Sequence, residues 1–536
     1  MARAALLLWL ALASPSARAQ EAESAKCAGC HREICDSYRR TPMAQSSGRP
    51  GGGLIQEDFA RARFAHRPSG FRYQVSRNRQ RYFVDFENGS LHGRKALAYF
   101  VGSGATARSY LLAADGFLYE APVAYYTAGA KWDLAPAYDH YAYPYTTRPI
   151  VPGCLDCHAS FIDLVPGTQN RYGTPPFGQA GVACERCHGP GGAHIASMES
   201  GGTAGGPGIV NPAKLAPDRR DSICAQCHLT GEARVMRAGR DWRSFHAGDR
   251  LWDSMTVFVQ SGGTPGMRVT SHVEKLAQSA CKRAAGDRLW CGTCHDPHVV
   301  PKPAERAAWF RAKCLGCHEP GACREPASAR AANGDDCTRC HMPKNPVVDA
   351  QHVVYTDHSI PRRPRIESAS PAAEVELVPF GGGPAPERDL ALAYGITARR
   401  DRALPLLELA AREAPDDVEV LLYLAELYRN GDQPDRAIPL YQRAIRLDPA
   451  QVTASVGLGG ILMERGQNRE AARLFQDALS KNAGLVLVRT NLAMAQWKAG
   501  DLRSAETSLM KAVELSPGFA AARDLLAKLR QAAEPH

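Results

Sequence analysis

Apolar and polar positions change their spacing several times along this chain, and each change marks a different kind of segment. Arg3 precedes an apolar run from Ala4 to Ala13, and Ala17-Arg18-Ala19 follows as a small-x-small site. This predicts a signal peptide over 1–19, cleaved before Gln20. The run is too short to stay in a bilayer as a helix, so a mature chain without a transmembrane segment is expected. In the stretch 51–150, Phe71-Arg72-Tyr73-Gln74-Val75 and Arg81-Tyr82-Phe83-Val84-Asp85-Phe86 alternate around a polar turn at Asn78. That pattern predicts a β-hairpin inside a small, Tyr-rich insertion. Residues 151–345 show no long periodic run, which predicts short helices and loops. Residues 366–385 are rich in Pro and Gly and read as a linker. From 386 to 536 the spacing becomes helical, with small residues at Ala403, Ala437, Ala471 and Ala505 and again at Ala410, Ala444, Ala478 and Ala512.

The period of those alanines is 34 residues, and Leu407, Tyr441, Phe475 and Leu509 keep the same phase. Small residues at fixed positions let paired helices pack closely, and Pro415, Pro449 and Pro517 break the chain between units. This is the tetratricopeptide (TPR) pattern, predicting four repeats and a capping helix. The expected fold class is therefore mainly α: an irregular domain over 20–365 with a small β-containing insertion, then an α-solenoid.

The cysteines supply the chemistry. Seventeen cysteines in an exported chain would suggest disulfides, but their spacing argues otherwise. Fourteen form seven Cys-x-x-Cys pairs, each followed at once by His: Cys27/Cys30/His31, Cys154/Cys157/His158, Cys184/Cys187/His188, Cys224/Cys227/His228, Cys291/Cys294/His295, Cys314/Cys317/His318 and Cys337/Cys340/His341. We call these motifs 1 to 7. Cys-x-x-Cys-His is the c-type haem attachment signature. Two thiols tether the ring, and the next imidazole takes the proximal position on iron. Zinc ribbons explain single pairs but not seven adjacent histidines. Seven covalent haems c are expected, in a compartment outside the cytoplasm such as the periplasm.

The formal charge of +10 changes little in this picture. Residues 386–536 hold 20 basic and 20 acidic side chains, so the excess lies in the haem-bearing part. Haem propionates offset it, and nucleic acid is not expected as a partner.

What fills the second axial position decides between carrying electrons and binding a substrate. His194, His272, His298, His352 and His358 stand near motifs and are candidate distal ligands. His66 and the thioether of Met43 join them. Of the three remaining cysteines, Cys281 and Cys323 are expected to pair, leaving Cys35 over.

Cys184-Glu-Arg-Cys187-His188-Gly-Pro-Gly with His194, then Cys291-Gly-Thr-Cys294-His295-Asp-Pro-His298, resemble the tetrahaem cytochrome family that accepts electrons from hydroxylamine oxidoreductase. Cys337-Thr-Arg-Cys340-His341-Met-Pro-Lys, with Tyr355-Thr-Asp-His358, is similar to the last haem segment of the wider nitrite reductase and hydroxylamine oxidoreductase superfamily. The whole chain is similar to bacterial multihaem cytochromes fused to TPR repeats, where segments like Gly102-Ser-Gly104…Arg108-Ser-Tyr110 and Ser271-His272-Val-Glu recur. The resemblance adds weight to His66, His194, His272, His298, His352 and His358 as distal ligands. It also shows departures: no Cys-x-x-Cys-Lys occurs, and no tyrosine can be matched to a haem crosslink. The expected function is electron carriage, with the TPR repeats docking a partner protein or peptide and an unnamed redox donor and acceptor. The alternative is an oxidoreductase acting on a small nitrogen or sulfur oxyanion at a haem with an open distal site, lined by the Tyr-rich region.

Overall fold

The computed structural model describes residues 26–55, 57–202, 208–263, 266–363 and 375–533. The expected signal peptide, His536 and residues 366–374 of the expected linker lie outside these residues.

The first large element is a sheet, not the small insertion expected. Nine antiparallel strands make it: β1 (Ser47–Gly48), β2 (Arg63–His66), β3 (Phe71–Asn78), β4 (Arg81–Asn88), β5 (Leu91–Val101), β6 (Ala107–Ala114), β7 (Phe117–Tyr126), β8 (Lys131–Leu134) and β9 (Arg148–Pro149). The order is β2-β3-β4-β5-β6-β7-β8, and β2 packs back against β8, so the sheet curls almost closed. This corrects the mainly-α class. The predicted hairpin is real, with Ser76 opposite Phe83, but it belongs to a longer meander. Its inner face buries Tyr73, Val75, Val84, Phe86, Tyr110 and Trp132. β7 is buried at nine of ten positions, so it lacks the alternation that marks a half-exposed strand.

One buried ion pair ties the loop before β2 to this core. Arg108 and Glu57 both have 0% side-chain exposure and meet at 2.8 Å. Tyr110 donates to the same Glu57 oxygen at 2.8 Å, and Arg108 also donates to the Gly52 carbonyl at 2.7 Å. A buried charge must be paired and hydrogen-bonded to be tolerated. The Arg108-Ser-Tyr110 segment is thus a structural clasp of the sheet.

Beyond the sheet the chain becomes irregular, with short helices over the motifs. Nine helices then run from Glu387–Ile396 to Ala520–Ala533, each packed on its neighbours. All eight recurring alanines are at most 4% exposed, and Leu407, Tyr441, Phe475 and Leu509 are fully buried. A Cβ at Gly457 would lie 2.4 Å from the Tyr441 ring, so only Gly permits that approach.

Part of the expected linker is ordered. Leu377–Pro379 forms a strand against Met255–Gln260, which in turn pairs with Ala233–Met236. The helical array is seated there: Thr256 donates to Asp389 at 2.6 Å, and Arg388 to the Met236 carbonyl at 2.6 Å. At its far end Asn482 donates to Gln169 at 2.6 Å and Tyr143 packs on Phe519 at 5.7 Å. Among the described residues, no helix is long and apolar enough to cross a membrane.

Candidate haem sites

Local geometry shapes each motif. In four of the seven, motifs 1, 4, 5 and 7, a helix carries both cysteines, as in Cys337–His341 and Cys291–Cys294. Positions i and i+3 of one turn lie on the same face, so both thiols can reach one ring edge. The backbone N–H of His31, His188, His295 and His318 then donates to the carbonyl of the first cysteine, at 2.8 to 3.0 Å.

These turns converge. His31, His158, His188, His228, His295, His318 and His341 all line one cavity of about 3810 Å³. Thirteen of the fourteen motif cysteines line it too, with Cys154 outside. A drug-sized ligand needs roughly 300–1,000 Å³, so this space suits several large groups. Arg288, Arg306, Lys313, Arg339, Arg362 and Arg363 also line it. Cations in those places fit the propionate role argued from charge.

The imidazoles themselves test the fit. The Nδ1 atoms of His158, His194 and His272 are buried with no hydrogen-bond partner. Elsewhere Nδ1 is held by a carbonyl: His188 by Val210 at 2.8 Å, His341 by Pro361 at 3.1 Å and His358 by Thr356 at 2.9 Å. Fixing Nδ1 in this way leaves Nε2 free to bind iron. Burial pulls His158 down to about 4, His272 to about 3 and His295 to about 4, with neighbouring imidazoles adding to it. His188, His228 and His358 are lowered mainly by burial as well. The neutral ring is the ligating form. Residues and group fit.

Several imidazoles stand in pairs. The rings of His188 and His298 are stacked, 5.9 Å apart and 17° from parallel. His295 and His358 are 6.2 Å apart. Two rings sharing a metal, each about 2 Å from it, would have centres roughly 6 Å apart. His272 lies between His228, at 5.2 Å, and His358, at 5.0 Å. Glu274 fixes the helix His272–Gln278, accepting from the N–H groups of Thr230 and Gly231 just after motif 4. His194 and Met43 also line the cavity.

Two candidates do not. His66 sits on β2 with Nδ1 on the Ser69 hydroxyl at 2.8 Å, away from the cavity. His352 places Nε2 on Asp133 at 2.8 Å and on Lys131 at 3.0 Å, so its ligating nitrogen is already engaged. Both are withdrawn as distal ligands. Tyr125, Tyr126 and Tyr138 do not line a pocket either; they are buried among the side chains of the sheet. The expected Cys281–Cys323 disulfide is absent. Both thiols are free, and Cys281 stands beside Cys294 and Cys314 instead.

Sequence reasoning missed the carbonyls of Val210 and Pro361, and Ser46, whose hydroxyl donates to the His158 carbonyl at 2.9 Å. Backbone acceptors and contacts across 112 residues leave no local signal.

Comparisons with known proteins agree with this picture in its broad terms. The family described as cytochrome c554 and c-prime matches residues 139–189, which span motifs 2 and 3. Tetratricopeptide repeat families match 388–451, 426–486 and 462–529. The multiheme cytochrome MtrA of Shewanella baltica (strain OS185) is 27% identical over 155 residues, covering 27% of this chain and 45% of that protein. The chain thus spans less than half of that curated relative. Solved structures similar to the chain include MamA (22% identity, 26% of this chain, 84% of that chain, TM-score 0.25). YrrB, a TPR protein with an unusual peptide-binding site, is 21% identical (26% and 72% covered, TM-score 0.24). The motifs, the family matches and the repeated helices together support a multihaem c-type cytochrome that carries a C-terminal TPR array.

Proposed function

We propose that this chain is an exported, periplasmic electron carrier with seven covalently bound haems c, one on each motif. The observation that carries the reading is the convergence of all seven motif histidines on one cavity, with imidazoles from elsewhere in the chain set against several of them. Bound haem supplies one-electron oxidation and reduction at iron. The chain does the rest. Fourteen thiols would tether the rings, the motif histidines would bind the irons, and His272, His298 and His358 stand against His228, His188 and His295. His194 and Met43 are further distal donors. Arginines and lysines around the cavity balance the propionates. The TPR array docks a protein or peptide partner beside the redox centre. The relation to the tetrahaem electron acceptors of hydroxylamine oxidoreductase belongs to this proposal; the family match to motifs 2 and 3 supports it.

One observation favours a second reading. Four non-motif histidines line the cavity against seven motif histidines. Sites without an imidazole partner suit an oxidoreductase acting on a small nitrogen or sulfur oxyanion. Low-temperature EPR of the oxidised, loaded protein separates the two. The carrier predicts low-spin signals throughout. A high-spin haem that shifts when nitrite or hydroxylamine is added would give the enzyme reading the lead.

A further inference from the structure

The motifs do not meet in chain order. The thiol of Cys184 in motif 3 lies beside that of Cys27 in motif 1, not beside motif 2. Tyr38, on the helix that follows motif 1, donates to the Val182 carbonyl at 2.7 Å, just ahead of motif 3. Motif 3 then meets motif 4, where Gln226 donates to the Arg186 carbonyl at 3.3 Å. Motif 4 meets motif 5 through the thiols of Cys224 and Cys291. From there the order is simple. Cys294 of motif 5 stands near Cys314 of motif 6. Motif 6 reaches motif 7 through Arg311 and Asp335, 3.0 Å apart, and through the thiols of Cys314 and Cys337.

Motif 2 joins elsewhere. Its Cys157 thiol lies against Cys227 of motif 4, and His158 is close to His228. Arg186 of motif 3 reaches the same junction, pairing with Asp156 at 3.0 Å. On its other side motif 2 is held by the sheet domain. Ser46 donates to the His158 carbonyl, and Tyr172 to the Ile150 carbonyl at 2.8 Å. The hairpin of Ala159–Leu164 and Tyr172–Ala180 carries the chain from motif 2 to motif 3 along that sheet.

We propose that the seven attachment sites form a branched row: motifs 1, 3, 4, 5, 6 and 7 in line, with motif 2 a spur that joins at motif 4 beneath the sheet domain. This rests on the haem reading above and adds the order of the sites. Motif 2 lies off the direct line between the two ends of the row. Motif 4 is where cysteine thiols of two other motifs, 2 and 5, meet its own, with motif 3 hydrogen-bonded beside it.

Iron-edge anomalous diffraction from crystals of the full, haem-loaded chain tests this. The branched row predicts that the nearest iron to motif 2 is that of motif 4, and that motif 4 has motifs 2, 3 and 5 as neighbours. Irons in chain order, with motif 2 between motifs 1 and 3, would overturn it. Fewer than seven iron peaks would count against the haem number instead, while the order of the peaks present still decides the branch. A measurement in solution adds a second arm. Cys154→Ala with Cys157→Ala removes the motif 2 haem, and an EPR-monitored redox titration should then show one remaining midpoint shifted. Cys224→Ala with Cys227→Ala should shift three. Equal numbers in the two variants would contradict the branch.

Discussion

From residue 280 to 344, across motifs 5, 6 and 7, no side chain is buried, whereas nearly every helix from Glu387 onward carries its own buried stripe. Both regions are built from short helices. They differ in what fills the space between them. In the array, alanines and single large side chains such as Tyr441 and Phe475 interlock to close packing. In the motif region the facing surfaces line a cavity of about 3810 Å³. Side chains make the core of one region, and the other is shaped to take its core from haem. Stability in the first is written in the chain; in the second it depends on a covalent group.

The largest expected effect breaks the comparison outright. Protein made without haem attachment should lose protection of backbone amides over 280–344 in hydrogen exchange, while the helices from Val418 to Leu515 stay protected. Equal protection of both regions would mean that the motif region has a core of its own.

Next in size is the array itself. Phe475 is fully buried, and Phe475→Ala should cost about 3–5 kcal/mol of array stability in denaturant unfolding. The optical spectrum of the haems should not change. A changed haem spectrum would mean that the two cores are coupled.

The sheet domain sharpens the comparison through pH. Burial lifts the Glu120 carboxyl from 4.5 to about 7, with Arg148 opposing at 3.1 Å. The folded state therefore keeps a proton that the unfolded chain gives up between these values, so stability should fall as pH rises from about 4.5 to 7 and level off above. Glu120→Gln should remove that slope, gaining about 1–3 kcal/mol at pH 8 and nothing near pH 4. Thermal melts across this range check it; a variant with the wild-type slope would contradict it.

The smallest effect lies at the seam. Asn482 is fully buried, donates to Gln169 at 2.6 Å and accepts from the Gly484 N–H at 3.1 Å. Asn482→Ala should cost about 1–2 kcal/mol and loosen the far end of the array from the sheet domain, seen as faster exchange around Gln169.

What the sequence shows follows from the range of the interactions. The motifs are legible because i, i+3 and i+4 define them, and the array because its spacing recurs four times. The sheet was under-read because β7 is buried on both faces and β5 and β6 pair with register shifts, so neither keeps a clean alternation. His66 and His352 were misassigned for a different reason. Their partners are Ser69 and, 219 residues away, Asp133, and nothing local separates a ligand from a hydrogen-bonded histidine. His272, His298 and His358 were legible as candidates near the motifs, but the rings they face were not. His298 follows motif 5 in the chain and stands against His188 of motif 3.

The central claim is that this cavity holds seven covalent haems, and intact-protein mass spectrometry of the loaded chain, with an iron-to-protein ratio, tests it most directly. The account predicts a mass increment of seven haems that survives denaturation, and seven irons per chain. Fewer covalent haems, or iron released when the protein unfolds, would contradict it.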